Sequence, residues 1–238
     1  QIIEGQDIVR LAQGTSDAKK FTVSFWVKAS ATGTYCISLH SGKSFGSNRS
    51  HVKEYTISSA NTWEYKTVTV NGDTSGTWAE DNGAGLSLAF TLGAGSTYQG
   101  AADTWSDNDY FATSNQTQLT ETTNATWLVT GIQLEVGEQA TPFEHRSFAD
   151  ELARCQRYYW QLSTGVHGNY PSWAATGYNT NQCNINLPFP VPMRTTPTAS
   201  YNTGNVNYYR FYRGGGSENF GTVGTDTITS EHLNIFGS

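Results

Sequence analysis

Residues 21–29, FTVSFWVKA, alternate without a slip: Phe21, Val23, Phe25 and Val27 on one side, Thr22, Ser24, Trp26 and Lys28 on the other. Side chains of a strand point to opposite faces with a period of two, so this stretch buries one clean face only as a β-strand. The pattern returns, less strictly, in GTYCISLH, HVKEYTISS, WEYKTVTV, LSLAFTL and WLVTGIQLEV. Between them lie turn-forming pieces: SATG, the Asn71-Gly72 pair and GAG. Short strands following one another without helices imply an antiparallel β-sandwich or jelly roll. Charged residues are only 14% of the chain against 13% aromatics, a strand-and-turn balance. With 37% hydrophobic residues over 238 positions, a buried core is expected in one large or two smaller β domains.

The same composition narrows the partners. A net charge of −6 with no Lys/Arg cluster offers no phosphate footprint, so nucleic acid is not expected to bind. No run of eighteen apolar residues and no leader pattern occur, so membrane insertion is not expected either. Gln1 as first residue suggests a piece of something longer. Cys36, Cys155 and Cys183 are odd in number, far apart and without a CxxC spacing, which speaks against a disulfide scaffold or a cysteine-rich zinc site.

Proline marks a division. None occurs in residues 1–141, whereas Pro142, Pro171, Pro188, Pro190, Pro192 and Pro197 follow, and every Lys lies on the early side. A boundary is expected within residues 141–147, separating a β domain (1–141), a linker with a short helix (142–160) and a small β-rich C-terminal tip (161–238). The helix is SFADELARCQRYYW: Ser147 suits the N-cap with Asp150 three residues on, and Phe148, Leu152, Cys155 and Tyr159 recur at helical spacing. So short a helix must dock its stripe, either on its own sandwich or on copies of itself around a symmetry axis. In the tip, strands are expected at 182–187, 198–201, 205–212 and 232–236. The proline-rich LPFPVPMRTTP is expected to be extended, as an edge strand or connector.

The segment TGIQLEVGEQATPFEHRSFADELARCQRYYW, with FTVSFWVKAS, NTWEYKTVTVNGDTSGTW and LGAGSTYQG, resembles a family of bacteriophage tail-fibre proteins of environmental and marine phages. The resemblance covers residues 1–160, and PVPMRTTPT is similar to distal parts of such fibres. It implies a jelly roll akin to carbohydrate-binding modules, a short helix, and a variable tip. It further implies a homotrimer in the virion's tail fibre, made in the bacterial cytoplasm, that binds a host-surface glycan or receptor. No catalytic residue comes with it.

Sugar binding wants flat rings beside hydrogen-bonding side chains. Trp78, Tyr98, Trp105 and Tyr110, all in turn-rich stretches, are the candidates in the first domain. Trp173, Tyr178, Tyr208, Tyr209, Arg210 and Tyr212 are those in the tip, where aromatics and Arg suit a receptor contact. Trp26, Trp63 and Trp127 lie on strands and are expected to pack. Phe148, Leu152, Cys155 and Tyr159 are the candidates for an oligomer contact. Asp103, Asp107 and Asp109 offer hard oxygen ligands for calcium, although their spacing lacks the terminal Glu of an EF-hand. No nucleophile, zinc or phosphate-loop motif stands in suitable context, so the chain is read as non-enzymatic with no cofactor. Two alternatives remain: the carbohydrate-binding portion of a polysaccharide-degrading tailspike or secreted glycosidase, and a purely architectural virion protein.

Overall fold

The computed structural model describes residues 1–43, 46, 49–162, 173–179, 182–201, 209–213, 216–219 and 222–237, with backbone alone for 211–213 and 216–219. The chain forms two compact units, Gln1–Glu144 and His145–Ser238. It is mostly β, and among the described residues its named strands pair antiparallel throughout.

The first unit runs β1 (Ile2–Glu4), a helical turn α1 (Gly5–Ile8), β2 (Phe21–Ala29), β3 (Gly33–Ser41), β4 (Ser50–Ile57), β5 (Glu64–Val70), β6 (Ala84–Thr91), β7 (Trp105–Ser106) and β8 (Trp127–Val136). One sheet has the order β1-β6-β3-β4-β7 and the other β5-β2-β8. The alternation of FTVSFWVKA decides which face of β2 is buried. Phe21, Val23, Phe25 and Val27 are wholly covered, and they share one core with Tyr35, Ile37 and Leu39 of β3 and Leu86 of β6. Each such side chain contributes roughly 1.5–3 kcal/mol by leaving water. Phe25 sits at the centre, edge-on to Tyr55 (5.1 Å) and Phe90 (5.0 Å).

Two glycines show how the backbone serves this packing. Asn71-Gly72 reads as a hairpin turn, but β5 and the next strand belong to different sheets. Gly72 is needed for another reason: a Cβ there would stand 2.5 Å from the Ala18 carbonyl. Gly131, at φ +59°, lies where the β2–β8 register slips between Ser24 and Trp26. That slip is a bulge, which a left-handed glycine accommodates at little cost.

The second unit holds α2 (Phe148–Gln156), β9 (Thr176–Asn179), β10 (Gln182–Pro188), β11 (Arg210–Arg213), β12 (Gly216–Asn219), β13 (Val223–Ile228) and β14 (His232–Gly237). The sheets are β13-β14-β10-β9 and the hairpin β11-β12. Ser147 caps α2 as its spacing suggests, its Oγ accepting from the Asp150 N–H at 3.2 Å. Among the described residues the buried apolar set of this unit is Cys183, Leu187, Met193 and Leu233. Residues 198–201, expected as a strand, form none, and β9, β12 and β13 were not anticipated. The proline-rich segment begins as the end of β10, with Leu187 and Pro188 paired to Leu233 and His232, and continues as a connector pinned by Phe189 N–H to Glu231 O (2.9 Å) and Met193 N–H to Ser230 O (2.6 Å). The start of the expected 205–212 strand lies outside the described residues.

Candidate functional site

Trp78, from the loop after β5, meets Trp105, the first residue of β7. Their ring centroids are 5.4 Å apart at 83°, edge to face, and both rings are half-buried. The scaffold beneath them is ionic. Asp73, nearly sealed from solvent, takes two hydrogen bonds from Arg49, Nε to Oδ2 and Nη2 to Oδ1, each 2.8 Å. Its backbone N–H donates to Gln13 Oε1 at 2.6 Å. The Arg49 Nη1 reaches on to Asp107 at 2.5 Å, whose side chain is 85% exposed. Asp73 foremost, and Asp107 behind it, hold the guanidinium proton more tightly than usual. Trp105 is fixed on both sides: its indole N–H donates to the Asn71 carbonyl at 2.8 Å, and its ring abuts buried His51 at 5.1 Å. Burial lowers the His51 pKa to about 4, so this imidazole stays neutral at ordinary pH.

Tyr98 and Tyr110 play different parts. Tyr98 is exposed and stands edge-on to Phe111 at 5.9 Å. Tyr110 instead packs on the small buried cluster of Cys36, Val52 and Ala112, its backbone N–H bonded to Ser50 Oγ at 3.0 Å. Buried His40 faces Asp109 at 3.0 Å; desolvation depresses its pKa and Asp109 works against that. The three aspartates singled out for calcium each engage a separate partner. Asp103 pairs with Lys53, Asp107 with Arg49, and Asp109 with His40 and the Gly46 N–H. Among the described residues no group of three or more His, Cys, Asp or Glu stands together as a metal ligand set. A shallow polar cleft of about 510 Å³ lies elsewhere, lined by Gly93, Ser96, Gln99, Gln118, Thr120 and Glu121.

The β5-β2-β8 sheet presents a second group of rings, and it includes Trp26 and Trp63, two of the strand tryptophans expected to pack. Trp26 is 45% exposed and Tyr65 46%, their centroids 5.4 Å apart, and Trp63 is 40% exposed with the Lys28 ammonium 5.3 Å over its ring. Trp127, by contrast, does pack against the core. The correction has a simple cause. Trp26 shares the polar face of β2 with Thr22, Ser24 and Lys28, and that period-two pattern already pointed it away from Phe25. Residues 141–144 are strapped to the strand beside it. Glu135 accepts from the Thr141 N–H (3.0 Å) and hydroxyl (2.5 Å), and Gln133 Oε1 accepts from the Glu144 N–H at 2.7 Å. Hydrogen bonds from Gln133 and then Thr141 hold the Glu135 carboxyl below the usual range.

In the second unit the helix stripe is open to solvent: Phe148 is 82% exposed, and Leu152, Cys155 and Tyr159 are exposed with it. Trp173 is exposed, as is Tyr178 on β9. Tyr209 is half-buried and Arg210 exposed. Tyr212 lies on β11, described by its backbone, and Tyr208 falls outside the described residues.

Comparison of the chain with protein-family models, with curated proteins and with solved structures finds no match.

Proposed function

We propose that this chain is a receptor-binding segment of a phage tail fibre, attaching the virion to host-surface glycans without cleaving them. In this reading the first unit is a jelly-roll β-sandwich, α2 is a neck at which three chains meet, and the β-rich residues 161–238 form the tip. The observation that carries it is the Trp78–Trp105 pair held beside Asp107. Rings set edge to face offer an apolar corner to the C–H face of a sugar, and the exposed carboxylate with Asn71 and Asn108 alongside can accept and donate to its hydroxyls. A site tied down by a buried ion pair loses little freedom when it binds. Trimerisation through Phe148, Leu152 and Tyr159 would cover rings that now face water and add weak contacts together as avidity.

The test is co-sedimentation with purified bacterial surface polysaccharides, followed by sizing of the polysaccharide. Retention that Trp78→Ala and Asp107→Asn weaken, with chain length unchanged, supports the reading. Shortened chains would instead identify a degrading enzyme, and no retention a purely architectural protein.

A further inference from the structure

We infer that the outward face of the β5-β2-β8 sheet is a second glycan-binding surface, and that it selects acidic polysaccharide. The inference rests on the glycan-binding reading above and adds a place and a ligand class to it. Trp26 and Tyr65 come from paired positions on neighbouring strands, so the sheet itself sets their 5.4 Å spacing. Thr67 and Thr130, both exposed, lie on the same face at neighbouring strand positions, with exposed Leu128 opposite Lys28 at its edge. Rings interleaved with hydroxyls suit a run of sugar units better than they suit a protein.

Charge specifies the sugar. Lys66, also of this sheet, pairs with Glu64, whereas among the described residues Lys28 makes no ion pair and rests on the Trp63 ring. The face's other charged groups lie towards its far end. Glu135 is occupied by Thr141 and pairs with Thr22, six strand residues from Lys28, and Glu138 pairs with Lys20. The Glu144 N–H is held by Gln133, whose partner Ser24 is four strand residues from Lys28. At about 3.3 Å per residue the attachment points of Glu135 and Glu144 stand about 13–20 Å from Lys28 along the strand, beyond a Debye length in physiological salt. An uncompensated ammonium therefore sits at the ring end of the sheet, complementary to a uronate or other anionic substituent. A second copy of the chain fits less well. Trp26, Tyr65, Trp63, Phe143 and Leu128 are each more than half covered, leaving at most roughly 100 Å² apiece, about 500 Å² together. A stable interface needs roughly 800 Å² per partner.

Affinity gel electrophoresis of the full chain tests this, with polygalacturonate, alginate or hyaluronate in the acidic gels and dextran or fully methyl-esterified polygalacturonate in the neutral ones. The expected result is retardation in at least one acidic gel that Trp26→Ala weakens about tenfold, equivalent to about 1.4 kcal/mol. Lys28→Gln should lower affinity in the acidic gel alone, Lys28→Arg should preserve it, and added salt should weaken it. Both positions are on the surface, and circular dichroism checks that the variants fold. Wild-type mobility of Trp26→Ala and Lys28→Gln in every acidic gel overturns the inference. If retardation is then lost in Trp78→Ala, glycan binding stands and only this surface falls. If the wild type is retarded by no gel, the glycan-binding reading falls as well. An altered oligomeric state of Trp26→Ala in native mass spectrometry would make the face a contact between copies, and would also overturn it.

Discussion

Arg49 grips Asp73 through two parallel hydrogen bonds of 2.8 Å while its third nitrogen reaches Asp107 at 2.5 Å. The first contact is buried and the second faces water, so one guanidinium joins the fold's interior to its surface. Breaking a buried pair by removing one member strands a charge away from water, which costs about 3–5 kcal/mol. Asp73→Ala should therefore lower the free energy of unfolding by about that much in urea titrations, whereas Asp107→Asn should change it by less than about 1 kcal/mol. The contrast matters because Asp107 can then be altered to probe binding without disturbing the scaffold.

Neighbouring residues on β2 should respond in opposite ways. Phe25→Ala opens a cavity in the shared core and should destabilise by about 3–5 kcal/mol. Trp26→Ala removes a larger side chain from the adjacent position, yet its ring lies on the open face, and the expected loss is about 1 kcal/mol or less. Equilibrium denaturation of the two variants compares them directly.

These two positions also mark what a reader of the sequence can and cannot obtain. Strict alternation in FTVSFWVKA is enough to identify the buried face, because burial of one face of a sheet enforces a period of two. The same alternation places Trp26 on the opposite, open face, although a tryptophan on a strand more often packs inward. The cap of α2 was legible because Ser147 and Asp150 are local partners. The Trp78–Trp105 contact was not, since it depends on how the 71–78 loop is anchored by Arg49, and no local pattern announces that long-range pair. In the second unit, β9 and β13 are short and interrupted by Gly, Asn and Asp, residues that favour turns over strands, and their pairing with β10 and β14 holds them extended.

Acid should weaken the first unit before its carboxylates titrate. The pKa of His51 falls from 6.5 to about 4 because burial disfavours the charged ring. Unfolded, the residue takes up a proton near pH 6.5; folded, it resists until about pH 4. The stability it contributes is thus present above pH 6.5 and is lost progressively as pH falls towards 4, amounting to about 3 kcal/mol at 1.36 kcal/mol per unit. His40, lowered as well, acts in the same direction. Urea midpoints measured between pH 7.5 and 4.5 should fall in the wild type and fall less in His51→Leu. A slope unchanged by that substitution would contradict the assignment.

The α2 stripe makes a prediction about assembly. Leu152→Asp should shift native mass spectra from trimer towards monomer, because a carboxylate cannot be buried unpaired at a helix contact. Ser147→Ala should cost about 1 kcal/mol of helix stability through loss of the cap. Spectra that show the same mass for wild type and Leu152→Asp remove the neck from the proposal.

Adhesion through rings held on a rigid sheet is the claim on which the account depends, and a glycan array probed with the intact chain tests it most directly. The account predicts that the wild type lights up a restricted set of bacterial surface glycans, and that Trp78→Ala, folded as judged by its urea midpoint, dims them. An array left dark by the wild type, or one whose signals Trp78→Ala and Trp26→Ala both leave untouched, would contradict it.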